Sequence, residues 1–127
     1  MADPTTFEVA VIGGGIIGCA TALALAESGR RVTVLEAEDR LAAHQSGHNS
    51  GVLHSGLYYR PGTLRARTCR EGLAAMVRFC EEEGIPHRVS GKVVVATTQA
   101  ELPALARLEE RGRANGLVGL ERIDGGA

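Results

Sequence analysis

The chain has 127 residues, 44% of them hydrophobic, with 14 basic against 15 acidic side chains and a formal net charge of −1. That is the composition of one globular domain. Near-neutral charge, 3% aromatic residues and no Trp argue against a nucleic-acid surface or a base-stacking platform, and no run approaches the roughly 18 apolar residues of a membrane helix.

The first residues, Met1-Ala2-Asp3-Pro4, lack a basic n-region, so no secretory leader is expected and the cytosol is the expected compartment. Val9 to Ile12 reads as a strand and opens into Gly13-Gly14-Gly15-Ile16-Ile17-Gly18, the spacing G-x-G-x-x-G. With 17 Gly in the chain, that spacing alone arises by chance in about a quarter of such sequences, so its context must decide. Cys19 to Glu27, rich in Ala and Leu, reads as a helix with Gly29 just past its end. Arg31 to Glu36 then alternates as a second strand and ends in an acid eighteen positions after Gly18.

In this β-α-β order each glycine has a task. Gly13 permits the tight turn, Gly15 lets backbone N–H groups approach a diphosphate, and Gly18 allows close helix-to-strand packing. The unpaired N–H groups and the helix dipole stabilise an anion without a basic side chain, and none occurs between Phe7 and Ser28. Glu36 is placed to accept hydrogen bonds from both hydroxyls of an adenosine ribose. Its charge also repels a 2′-phosphate.

Residues 42–59 are small and polar, contain three His and lack a clean period, which reads as a ligand-facing loop with one helical turn at most. Tyr59-Arg60-Pro61-Gly62 marks a turn. From about Thr63 to Glu83, Cys69, Leu73, Met76, Val77 and Cys80 recur at helical spacing, an amphipathic helix followed by Gly84. Gly91 to Thr97 reads as a β-branched strand, and Thr98 with Glu101 has the form of a capping box. Pro103 moves the helix start toward Leu102, Asn115-Gly116 ends that helix, and Gly119 to Ile123 reads as a short strand before Gly125-Gly126-Ala127. Cys19, Cys69 and Cys80 are odd in number and lack C-x-x-C spacing, so neither a disulfide framework nor a zinc site is expected. His44, His48 and His54 have no accompanying acidic cluster, and no metal is expected there.

Three blocks carry a family resemblance: Val11 to Gly18, His44-Gln45-Ser46-Gly47-His48-Asn49-Ser50-Gly51-Val52-Leu53-His54-Ser55-Gly56-Leu57-Tyr58-Tyr59, and Gly91 to Ala96. Together they resemble the flavin-dependent L-2-hydroxyglutarate oxidases and dehydrogenases, within the D-amino-acid-oxidase-like flavoproteins. The first block is shared by many flavin and NAD enzymes; the second is particular to this family. The resemblance runs from about Phe7 to Ile123.

It implies an α/β fold, the Rossmann-like FAD-binding β-α-β start of a flavoprotein followed by the first elements of an inserted substrate domain. Residues 5–90 would belong to the FAD-binding domain and residues 91–127 to the start of the substrate domain, both incomplete, because the relatives continue and return to the flavin domain. The chain is therefore expected to be an N-terminal fragment. The resemblance further implies FAD as cofactor, with Gly13, Gly15, Ile16, Ile17 and Gly18 at the diphosphate, Glu36 and Ala37 flanking the adenosine ribose, and Gln45, Ser46, Asn49, Ser50, Gly51 and Val52 along the diphosphate-to-flavin stretch. Small residues with hydroxyl or amide groups offer donors to a flavin edge at low steric cost.

The implied reaction is oxidation of L-2-hydroxyglutarate to 2-oxoglutarate, with hydride passing to the flavin, a base taking the hydroxyl proton, and electrons going on to oxygen or a quinone. His54 is the candidate base, since it lies beyond the segment matched to the diphosphate; holding a neighbouring loop is the competing role. His44 and His48 read as structural or flavin-contacting. Tyr58 and Tyr59 are either substrate donors or half-buried packing, and Arg60 is either a carboxylate anchor or an exposed turn residue. A quinone acceptor would bring peripheral contact with the inner face of a membrane. Three alternatives stay open: an NAD-using dehydrogenase, an amino-acid oxidase of the same flavin family, and a non-catalytic nucleotide-binding fragment. The last would leave apolar faces of the Thr63 helix and the Gly91 strand uncovered.

Overall fold

The computed structural model describes residues 6–123, so the readings made on Met1 to Pro4 and on Gly125 to Ala127, and the two outer bounds of the domain division, lie outside the described residues. The chain divides into two compact units, Met1–Gly51 and Val52–Ala127.

In the first unit, β1 (Val9–Ile12), α1 (Ile16–Glu27) and β2 (Val32–Leu35) form the β-α-β order expected from the sequence. The strands pair in parallel, in register from Val9 opposite Val32 to Ile12 opposite Leu35. Parallel strands need a crossover, and α1 supplies it, lying against both. The helix starts at Ile16, three residues before the Ala- and Leu-rich stretch, because Gly15 takes the extended N-cap conformation. At its other end Gly29 has φ +84°, which lets its N–H reach Ala26 O and the next N–H, that of Arg30, reach Leu25 O. Helices α2 (Leu64–Glu82) and α3 (Leu102–Ala114) close with the same pair of bonds at Gly84 and Gly116.

The second unit is built on α2 and α3. Thr63 caps α2, its hydroxyl accepting the Ala66 N–H at 3.3 Å. Buried Gly112 of α3 makes room for two leucines: a Cβ there would come within 2.8 Å of both Leu57 Cδ1 and Leu120 Cδ1. Among the described residues, Leu57, Ala66 and Cys80 are the buried hydrophobic ones. Before α3 comes a single 3₁₀ turn, Gln99–Glu101, in which the Glu101 carboxylate reaches back to the N–H groups of Thr97 (2.7 Å) and Thr98 (3.2 Å). Pro103 then falls at the start of α3, where its missing N–H costs nothing, so the helix begins at Leu102.

Two expected strands are absent: residues 91–97 and 119–123 are irregular. Their β-branched composition is real, but a strand exists only by exchanging hydrogen bonds with a neighbour, and no described segment pairs with either. Val93, Val95 and Ile123 within them are correspondingly exposed, between 67% and 80%. No helix of the described residues is long and apolar enough to cross a membrane.

Candidate cofactor-binding site

The site forms where β1 passes into α1. Gly13 donates its N–H to Leu35 O at 2.7 Å and has φ +100°, a conformation that side chains disfavour, so the chain leaves the sheet edge and doubles into the helix. Gly18 faces back on this turn, and a Cβ on it would run into the Gly13 carbonyl. These two glycines therefore set how closely the helix start approaches the strand end.

Glu36, the residue just after β2, turns its carboxylate into this junction. One oxygen accepts the Gly14 N–H at 2.5 Å, and the other accepts the N–H groups of Ala37 (2.8 Å) and Glu38 (3.1 Å). Hydrogen bonds from Glu38, then Gly14 and Ala37, with the nearby His44, hold this carboxyl below the usual carboxylate range. A carboxylate offers about four lone-pair positions and three are taken, so the oxygen on Gly14 keeps room for one more donor. Gripping both ribose hydroxyls, as the sequence suggested, requires the other oxygen to release Ala37 or Glu38.

The loop that follows is tied to the same place. Ala42 donates its N–H to Gly14 O at 3.0 Å while holding φ +57°, a strained conformation for a residue with a side chain. Gly47 lies under the Ala42 carbonyl, where no Cβ would fit. Ser46 Oγ accepts the N–H of Ile16, the first residue of α1, at 2.9 Å. Gly15 has no side chain to cap the helix, so a hydroxyl thirty positions later does it. A Cβ on Gly15 would sit 3.2 Å from that hydroxyl. The helix supplies no acceptor for the N–H of Ile17 in its first turn.

The remaining loop residues hold each other. Asn49 Nδ2 donates to Gln45 O and Ser46 O (2.9 Å each), and Asn49 Oδ1 accepts the Gly51 N–H at 2.7 Å, with Gly51 at φ +64°. His44 Nε2 lies 3.0 Å from Glu38 Oε1 and His48 Nδ1 lies 2.9 Å from His44 O. Ser50 is exposed and belongs to the same loop. The structure thus assembles Gly13 to Gly18, Glu36, Ala37 and Ser46 at one junction, with Gln45, Asn49, Ser50 and Gly51 on the loop anchored to it.

Val52 and His54 belong to the second unit. His54 is exposed, and its carbonyl accepts a weak hydrogen bond from Cys69 Sγ at 3.2 Å. It lines a hollow of about 190 Å³ with Ser55, Gly56, Leu57, Tyr58 and Tyr59. Sequence reasoning missed what shapes that turn. Asn115 Nδ2, at the end of α3, donates to Gly56 O (3.2 Å) and Tyr59 O (2.9 Å), and Arg111 Nη1 donates to Tyr58 O at 3.1 Å. Asn115 carried a helix-end signal only.

The donor set fits a dinucleotide cofactor. A glycine-rich turn with no room for a Cβ at Gly18, a helix start that leaves the Ile17 N–H without an acceptor and a carboxylate held ionised at the strand end suit a diphosphate and a ribose. Residues 8–127 match the family described as FAD dependent oxidoreductase, DAO. Among curated proteins the chain is similar to the L-2-hydroxyglutarate dehydrogenase of Indibacter alkaliphilus, at 53% identity over 92% of this chain and 30% of that protein. It is also similar to the mitochondrial L-2-hydroxyglutarate dehydrogenases of Pongo abelii (45%, covering 96% and 30%) and Homo sapiens (44%, covering 96% and 27%). The chain spans about 30% of the length of the curated relatives it matches.

Proposed function

Because the chain belongs to the FAD-dependent oxidoreductase family, we propose that it is the ADP-gripping part of an enzyme that oxidises L-2-hydroxyglutarate, or a similar 2-hydroxy acid, to the 2-oxo acid. The Glu36 carboxylate facing the Gly13 to Gly18 turn is the observation that carries the cofactor side of this reading. The names of relatives 44–53% identical support the substrate side.

FAD supplies the hydride acceptor when bound. In this reading the N–H groups at the start of α1 and the Ser46 hydroxyl hold the diphosphate, Glu36 with Ala37 holds the ribose, and Gln45, Asn49, Ser50, Gly51 and Val52 continue toward the flavin ring. His54 takes the proton from the substrate hydroxyl, a role suited to imidazole near neutral pH. Residues 5–90 act as part of the flavin domain and residues 91–127 as the beginning of the substrate domain, whose remaining elements cover Val93, Val95 and Val118. Electrons leave to oxygen or to a quinone, in the cytoplasm, the quinone route requiring peripheral contact with the inner face of a membrane.

The test is purification of the full-length protein that carries this chain. A flavin spectrum together with L-2-hydroxyglutarate-dependent reduction of a dye acceptor, without added NAD, is the expected result. A flavin-free preparation, or turnover that needs NAD, contradicts the reading.

A further inference from the structure

Lys92 is the one lysine among 14 basic residues; all the others are arginine. A compact, rotatable ammonium differs from a guanidinium fork when a single carboxylate oxygen must be met. Lys92 is also seated rather than loose, with Nζ 4.4 Å from the centroid of the Tyr58 ring, within the roughly 6 Å over which a cation is drawn to an aromatic face. Among the described residues no acid pairs with it; the close charged contacts there are Arg113 with Glu109 and His44 Nε2 against Glu38 Oε1.

Tyr58, whose ring seats Lys92, lines a hollow with His54, Ser55, Gly56, Leu57 and Tyr59. At about 190 Å³ this hollow is below the 300–1,000 Å³ of drug-sized ligand sites and suits a small metabolite. Tyr58 thus lines the hollow together with His54 and, through its ring, seats the Lys92 ammonium. Arg111 of α3 donates to the Tyr58 carbonyl at 3.1 Å, which ties the backbone of this turn to α3.

We propose that Lys92, seated on Tyr58, is the specificity-determining cation that binds the far carboxylate of a dicarboxylic 2-hydroxy acid whose hydroxyl end lies toward His54. This rests on the oxidoreductase reading above and deepens it. An unpaired ammonium keeps its hydration until an acid replaces it, so it favours a substrate with a second carboxylate over one that ends in a methyl group. The preference comes from a charge-assisted hydrogen bond that the monoacid cannot make.

The experiment compares L-2-hydroxyglutarate with L-2-hydroxybutyrate in the FAD-loaded full-length protein, reading the ratio of their kcat/KM values. Lys92→Met should lower that ratio by about 10- to 100-fold, mainly through KM of the diacid, with flavin content unchanged. Lys92→Arg should restore part of it. Tyr58→Leu keeps the ammonium but removes its seat, and it should lower the same ratio, which keeps the proposal testable if Lys92→Met folds poorly. An unchanged ratio in both variants overturns the proposal, as does a larger fall for Arg60→Ala than for Lys92→Met. A wild-type enzyme that holds FAD but ignores L-2-hydroxyglutarate overturns the substrate reading itself, and this inference with it.

Discussion

Gly14 and Glu36, twenty-two positions apart, are joined by a backbone-to-carboxylate hydrogen bond of 2.5 Å. This bond ties the end of β2 to the turn after β1. The residue that would recognise a ribose is thereby also the residue that braces the diphosphate turn, and the two tasks draw on the same two oxygens.

Replacing Glu36 with Ala should therefore weaken FAD binding by about 10- to 100-fold, the effect of losing charge-assisted hydrogen bonds, as read by flavin fluorescence titration. Glu36→Gln keeps an acceptor oxygen and should lose less.

The same carboxylate sets a pH dependence. Its pKa in the folded chain is below that of an unfolded glutamate, held there by the N–H groups of Glu38, Gly14 and Ala37. Its bracing is then complete above the ordinary carboxylate value of about 4.3 and is lost as pH falls through the lower folded value. The Gly14 amide resonance, followed by NMR, should hold steady from neutral pH down to that ordinary value and move only below it. A midpoint above it contradicts the assigned hydrogen bonds.

Two glycine-to-alanine changes should act in opposite directions. Gly18→Ala drives a methyl group into the Gly13 carbonyl and should abolish FAD binding. Gly72→Ala lies within α2, where an added Cβ meets nothing within 4 Å, and should stabilise the helix by about 0.5–1 kcal/mol in denaturant titration.

Ser46→Ala removes the hydroxyl that accepts the Ile16 N–H and leaves α1 without a side-chain cap. A loss of about 0.5–2 kcal/mol is expected from the cap alone, with weaker FAD binding besides; Ser46→Thr should retain both.

Asn115→Ala should cost about 1–3 kcal/mol, because Gly56 O and Tyr59 O lose a part-buried donor. It should also raise hydrogen exchange across residues 54–59 while leaving the first unit unchanged. Uniform destabilisation of both units would show that the amide does not act locally.

What was legible in the sequence was what local chemistry determines. A glycine at a tight turn, an acid at the end of a second strand, the Thr98–Glu101 capping box before a helix and a glycine after one are all written in residue type and spacing. The parallel pairing of β1 with β2 followed from the helix between them. Bonds between distant positions were not legible: nothing in the sequence ties Asn115 to the Tyr59 carbonyl or Ser46 to the Ile16 N–H. Ala42 at φ +57° was hidden for a related reason, since its strain is sustained by the bond to Gly14 and not by its own identity. The expected strands at 91–97 and 119–123 failed differently. Val93 to Val95 show a preference for extended backbone, but a ladder needs a second strand, and the described residues contain none beside them.

The most direct test of the cofactor grip is a crystal structure of the full-length protein with FAD bound. The account predicts the diphosphate at the N–H groups opening α1, within hydrogen-bond reach of Ser46, and the adenosine ribose on the Glu36 carboxylate. FAD lying elsewhere, or an adenosine ribose with no hydrogen bond to Glu36, would contradict it.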